Sequence, residues 1–160
     1  ATDIKNDKLR IHAIENIGRA TKKVFVTLPE INGLQSSSGA NLSTENIIHT
    51  DKLDIDASSG AMLQIELVAN EVEIDASSGA NLYLSGDTNT LYIDASSGAN
   101  INAKKLISKI CKAGASSGGN LSVNVSEALT ADASSGGNIS YSGEAKVTKK
   151  KSVSGSVHKN

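Results

Sequence analysis

Tryptophan is absent from the 160 residues, phenylalanine and methionine occur once each, and tyrosine occurs three times. A compact globule of this size normally takes much of its core volume from aromatic rings. The interior must therefore be built from Leu, Ile, Val and Ala, which makes it thin. Thin cores suit a solenoid, where each turn buries a few residues against its neighbours. Cysteine is equally scarce. Cys111 stands alone, which excludes an intrachain disulfide and leaves the redox compartment unread. No apolar run reaches the length needed to cross a bilayer, and no signal peptide is visible at the start of the chain.

Net charge is also lacking. A formal −1 offers no field for nucleic acid or an anionic membrane to read. The distribution is less even than the total. Residues 51–100 hold nine acids against one base, Lys52, whereas residues 101–160 hold nine lysines against three acids. A stack of turns in sequence order would be acidic in the middle and basic toward its C-terminal end. A solvated surface accounts for this; end-to-end or lateral electrostatic pairing is the sharper alternative.

What the chain has in abundance is one repeat. Copies read SSSGANL (36–42), ASSGAML (57–63), ASSGANL (76–82), ASSGANI (95–101), ASSGGNL (115–121) and ASSGGNI (133–139), with a degenerate SVSGSV at 152–157. The aligned glycines are Gly39, Gly60, Gly79, Gly98, Gly118, Gly136 and Gly155, at gaps of 21, 19, 19, 20, 18 and 19 residues. Apolar and polar residues alternate before each corner, as in Leu53-Asp54-Ile55-Asp56-Ala57, and after it, as in Leu63-Gln64-Ile65-Glu66-Leu67. Period two is the signature of a strand with one face in and one out. Glycine supplies backbone angles that a side chain resists, so Ser-Ser-Gly reads as a corner between two strands.

An antiparallel meander would send successive corners to opposite edges, giving identical sequence no reason to recur. A coil stacks every corner above the last at about 4.8 Å. The leucine-rich-repeat consensus is missing although its period is similar. The expected fold is therefore all-β, a single-stranded parallel β-helix with about 18–21 residues per turn. It forms a single domain, 1–160, with N-terminal strands or a first turn in 1–34, repeats in 35–143 and a closing turn in 144–160.

Stacking predicts columns. Leu42, Leu63, Leu82, Ile101, Leu121 and Ile139 form one interior column, and Thr44, Ile65, Leu84, Ala103, Val123 and Tyr141 the next. Leu53, Val72, Leu91, Cys111 and Leu129 form a third, which makes Cys111 a small buried hydrophobe rather than a nucleophile. Asn41, Asn81, Asn100, Asn120 and Asn138 form a corner column interrupted at Met62. Side-chain amides so placed pair from turn to turn, a structural role. The paired serines read as structural too, as small hydroxyls bonding locally to backbone.

Chemistry is harder to find. Asp56, Asp75, Asp94 and Asp132 align on the exterior, interrupted by Gly114. Like charges at that spacing repel by about 1 kcal/mol in water. Salt screening or corner hydroxyls can relieve this, and capture of calcium at Asp56, Asp75 and Asp94 is the alternative. The calcium solenoid motif GGxGxDxUx is absent, and the solvated reading is preferred. His12, His49 and His158 fall on different turns without a paired ligand. Polysaccharide-cleaving β-helices need clustered carboxylates, a basic residue and aromatic platforms. This chain has few aromatics, and its arginines, Arg10 and Arg19, precede the repeats. No catalytic residue and no cofactor are expected.

The run Lys23-Val24-Phe25-Val26-Thr27-Leu28-Pro29-Glu30-Ile31-Asn32-Gly33-Leu34, followed by serial Ser-Gly corners, resembles the head-GIN domain, a family described as putative autotransporter adhesins of Bacteroidetes-type bacteria. The resemblance extends from about residue 8 to Ser154-Gly155-Ser156-Val157. It departs in two ways. The family's corners usually read SGSGD where this chain has Asn or Met62, and the family's opening strands are missing, which would place residue 1 inside a longer domain. The resemblance implies a right-handed β-helix in the cell envelope, extracytoplasmic, with no catalytic residues to carry over. The expected role is a non-enzymatic structural or adhesive module. The alternatives are a carbohydrate-binding or polysaccharide-active β-helix, and a polymer-forming scaffold resembling the bactofilins. Expected partners are a cell-surface glycan or protein and a weakly bound second copy, with no nucleic acid and no membrane span.

Overall fold

The computed structural model describes residues 1–14, 22–150 and 154–160. Arg19, Lys151 and the 152–153 start of the last repeat copy lie outside them. Among the described residues every element is a strand. β1 (Thr2–Lys5) and β2 (Lys8–Ile11) form an antiparallel hairpin of their own. Asn6 and Asp7 turn it with φ of 51° and 58°, a left-handed conformation those two residue types tolerate best after glycine.

From Gly33 onward every pairing is parallel. The strands are β3 (Gly33–Ser36), β4 (Asn41–Ser43), β5 (Ile48–Ala57), β6 (Met62–Ala76), β7 (Asn81–Ala95), β8 (Asn100–Ala115), β9 (Asn120–Ala133), β10 (Asn138–Ser142), β11 (Lys146–Lys149) and β12 (Ser156–Lys159). Each of β5 to β9 lies beside the strand one repeat away, β4 beside β6, and β10 and β11 both beside β9. The chain is thus a β-solenoid of about seven turns.

The alternation sets the interior. In β6 the burial runs out, in, out, in from Met62 to Ala69, and again from Val72 to Ala76. Leu63, Leu82, Ile101, Leu121 and Ile139 stand in register and are sealed from solvent, as are Leu53, Val72, Leu91, Cys111 and Leu129. No buried aromatic is needed, because each aliphatic packs on its copy one turn away at the strand spacing.

Corners hold these columns in line. In the second repeat copy, Ala61 N–H donates to the Ser58 carbonyl at 3.1 Å, while Ser59 and Gly60 have φ of 51° and 73°. Positive φ at both central positions is the type I′ turn. Glycine takes it freely, but the left-handed form costs serine about 1 kcal/mol or more. Sequence reasoning assigned that conformation to the glycine alone; six serines share it, Ser38, Ser59, Ser78, Ser97, Ser117 and Ser135. What holds them is main chain. Gly60 N–H donates to the Ser78 carbonyl one turn on (3.0 Å), Ser77 N–H to the Ala57 carbonyl (2.9 Å) and Asn81 N–H to the Ala61 carbonyl (2.8 Å). The ladder does not stop at the bend, so the corner's main-chain groups stay paired.

The fourth corner residue is Ala in four copies and Gly119 or Gly137 in two. A Cβ on Gly119 would collide with the Ala95 carbonyl, and one on Gly137 with the Ala115 carbonyl. At these two corners only glycine fits.

The third side is less regular. Register shifts separate Tyr83 from Ser85, Ala103 from Ile107 and Ser108 from Ile110. Thr88 and Ser108 point inward there and are buried. Thr88 Oγ1 donates to the Thr90 carbonyl at 3.2 Å and Ser108 Oγ to the Asn124 carbonyl at 3.0 Å. Each buried hydroxyl is thereby satisfied by a main-chain carbonyl.

Leu82→Ala is expected to cost about 2–5 kcal/mol in urea or thermal unfolding, because a stack pinned by its ladders cannot collapse around the cavity. Ser85→Ala, on an outward position two residues from Tyr83, should change stability by less than about 0.5 kcal/mol.

Candidate functional site

The exterior beside the corner holds a dense set of ionisable groups. Asp56, Asp75 and Asp94 each precede the alanine that enters the corner, so alternation points them outward, and the ladder puts them in register. Gly114 follows in the same column, then Asp132. The next outward column carries Asp54, Glu73, Tyr92, Lys112 and Thr130. Together with Gln35 and the first corner serines, Ser58, Ser77 and Ser96, Asp56, Asp75 and Asp94 line an open depression of about 330 Å³.

This stacking costs electrostatic energy. Partial burial, then the neighbouring Asp94, Asp56 and Glu73, push the Asp75 carboxyl above its ordinary range. Burial, then Asp132 and Glu73, do the same to Asp94. The break at Gly114 is explained by its neighbour: a Cβ there would strike the Asp94 carboxylate, which leans into the space a side chain would occupy. The glycine lets one carboxylate spread away from the row. At the other end Lys52 lies 3.0 Å from Glu71, 3.5 Å from Glu73 and 3.8 Å from Asp54. A hydrogen bond and charge attraction from Glu71 lead the causes that raise its ammonium pKa. Among the described residues no group of three or more His, Cys, Asp or Glu is placed to hold a metal ion. The aspartates form a row and do not converge.

The asparagine column lies across the corner. Asn100 Nδ2 donates to Asn81 Oδ1 at 3.3 Å, and Asn120 Nδ2 to Asn100 Oδ1 at 3.1 Å. The same amides donate to the carbonyl two residues back, Asn81 to Gly79, Asn100 to Gly98 and Asn120 to Gly118. Each amide ties one turn to the next and closes its own corner. Asn138 stands in register with Asn120, and Asn41 with Met62, whose thioether breaks the chain of amides. Sequence reasoning missed a second rung pair on the far corner, where Asn89 Nδ2 donates to Asn70 Oδ1 at 2.8 Å. The 19-residue offset between Asn70 and Asn89 was the available signal.

Cys111 fills a leucine's place in its column, and burial pushes its thiol up to about 12. Such a thiol stays protonated and unreactive. His12 lies 3.8 Å from Asp3 in the hairpin, whereas His49 and His158 belong to separate turns. Tyr83 and Tyr92 are exposed by 51% and 38%, but on opposite sides of the corner.

The raised carboxyls fix a sign. Folding favours their protonated form, so their stabilising contribution is complete below the unfolded carboxylate pKa and is lost as pH rises through the folded value. Melting temperature should therefore climb as pH falls from neutrality into the carboxylate range. At neutral pH Asp75→Asn should raise stability by up to about 1 kcal/mol, the scale of an exposed charge pair, and flatten that climb. Added calcium should leave the wild-type melting temperature unchanged; a calcium-dependent rise abolished by Asp75→Asn would show that the column binds the ion. In the amide column, Met62→Asn should join Asn41 to Asn81 and stabilise by about 1 kcal/mol, and Asn100→Ala should cost about as much or more.

No curated protein matches this sequence. Among solved structures, a "putative adhesin" of Bacteroides fragilis matches with a TM-score of 0.86 at 23% identity, covering 100% of this chain and 76% of that one. A "putative adhesin" of Parabacteroides merdae matches with a TM-score of 0.61 at 20% identity, covering 81% of this chain and 63% of that one. At these identities the likeness is one of fold. Family membership rests on residues 1–145, which match the family model described as "Putative auto-transporter adhesin, head GIN domain", and the chain belongs to that family.

Proposed function

We propose that this chain is a non-enzymatic β-solenoid of the cell envelope whose flat sides serve as an adhesive or structural surface. The observation that carries the reading is the unbroken register of β5 to β9 beside the corner, which sets outward side chains in straight columns along two flat sides. Such a surface suits many weak contacts of one spacing, which add through multivalency. The family description supports both the adhesive role and an extracytoplasmic location.

The acids do not favour glycan cleavage. Glycosidases set two carboxyl groups on either side of a scissile bond. Here Asp56, Asp75 and Asp94 lie in a single row on one side of the stack. A glycan is a natural ligand for the side beyond the corner, where Gln64, Tyr83 and Asn102 form an exposed outward column.

Beads coated with the folded domain are expected to adhere to envelope glycans or surface proteins on an array more strongly than beads carrying the unfolded chain. Equal adhesion by both would overturn the adhesive reading. Release of sugar from an arrayed polysaccharide would overturn the non-enzymatic one.

A further inference from the structure

The side of the solenoid that leads into the corner carries opposite charge at its two ends. Its outward columns in β5, β6 and β7 hold Asp54, Asp56, Glu71, Glu73, Asp75 and Asp94 against Lys52, a net −5. In β8, β9 and the turn of β11 the same columns hold Lys112, Lys146 and Lys150 against Asp132, a net +2. At the boundary, in adjoining turns, Tyr92 is 38% exposed and Ile110 49% exposed. An exposed aromatic and an exposed isoleucine at the midline of a charged face are the composition of an interface centre.

We propose that this face binds a second copy of the chain, face to face and antiparallel along the solenoid axis. A two-fold axis parallel to the strands, between β7 and β8, leaves each column over itself and reverses the order of turns. Such an interface is isologous and closes as a dimer. β7 then lies over β8 of the second copy, β6 over β9, and β5 over the turn of β11. Tyr92 meets Lys112 of the second copy, where the ring face attracts the ammonium. Asp56 meets Lys150 of the second copy, whereas Lys52 meets Lys146 and Asp75 meets Asp132, two like-charge pairs that keep the association weak.

Distance decides the electrostatic balance. Packed sheets lie about 10 Å apart, so the centres of opposite halves are that close, whereas the centres of like halves are offset by three turns and lie about 17 Å apart. With a Debye length of about 8–10 Å the like-charge repulsion is screened far more than the attraction. Taken half against half the arrangement attracts, with the facing pairs Lys52–Lys146 and Asp75–Asp132 working against it and the face as a whole carrying −5 + 2 = −3. Six turns high and one side wide, the face covers roughly 500–600 Å² per copy, at the low end for a specific interface. The dimer is weak and salt-sensitive.

Sedimentation equilibrium over a concentration series tests this. The average mass should rise from 16.5 kDa toward twice that value at low ionic strength and return to the monomer in high salt. Lys112→Glu with Lys146→Glu makes both halves of the face net acidic; Asp54→Lys with Glu71→Lys and Glu73→Lys makes both halves net basic. Each variant alone should stay monomeric with its melting transition retained, with self-association weakened about tenfold or more. Their equimolar mixture should dimerise. A wild-type chain that is monomeric at every salt concentration overturns the proposal. So does a double glutamate variant that dimerises as well as the wild type, or a mixture that does not associate.

Discussion

Parallel hydrogen bonding through a bend is the constraint on which the rest of this structure depends. A strand that turns a corner usually leaves its ladder, because neighbouring carbonyls and N–H groups swing out of line. Here the bend is the same in every turn, so partners swing together. Gly60 N–H still finds the Ser78 carbonyl, and Gly79 N–H the Ser97 carbonyl, at 3.0 and 3.1 Å. That persistence needs two consecutive left-handed residues at one place in each copy. It explains why the corner is the most repetitive part of the sequence while the third side varies: a corner that differed from its neighbour would leave buried main-chain groups unpaired.

Register held at the corner is then imposed on everything nearby, for good and ill. Amides placed in line gain a bond at each step, as Asn81, Asn100 and Asn120 do. Carboxylates placed in line repel. The chain meets the second consequence locally: Lys52 spans Asp54, Glu71 and Glu73, Lys150 reaches Asp132 at 3.4 Å, and Gly114 yields its space to Asp94. Asp75 lies between two such devices and touches neither, and its carboxyl is raised. The same regularity that builds the fold concentrates unfavourable charge at two neighbouring residues of the row, Asp75 and Asp94.

The parts of this structure legible in sequence were those that recur. The aligned glycines fix the turn length, turn length fixes the columns, and the columns separate interior Leu82 from exterior Tyr83. What escaped was set by single events in three dimensions. Nothing in the string Ser-Ser-Gly says that the second serine shares the left-handed conformation, since serine seldom adopts it. Gly114 reads as an interruption until the Asp94 carboxylate is seen leaning over it. That β8 holds more residues on the third side than β9 is legible in the glycine gaps of 20 and 18, but not that the ladder breaks between Ala103 and Ile107 and between Ser108 and Ile110. The amide pair of Asn70 with Asn89 lacks a third copy, because Lys109 stands at the next turn.

A solenoid separates the residues that make the fold from those that meet a partner. Inward positions and corners are bound by packing and by the ladder, whereas outward positions between corners contribute little to stability and can change without disturbing the stack. Information about partners is therefore concentrated where the outward columns break their own pattern. In this chain those breaks gather at the middle turns: Tyr83 and Tyr92 on β7, Ile107 and Ile110 on β8, with lysines at 104, 105, 109 and 112 replacing the polar or acidic residues of the turns before. Ile107 and Ile110 remain about half exposed, where the described residues of the repeats have little other large apolar surface beyond Ile47, Met62, Val68 and the two tyrosines. The switch in charge and the exposed apolar groups coincide within two turns, and that is where the surface changes from a repeating stack into a specific one.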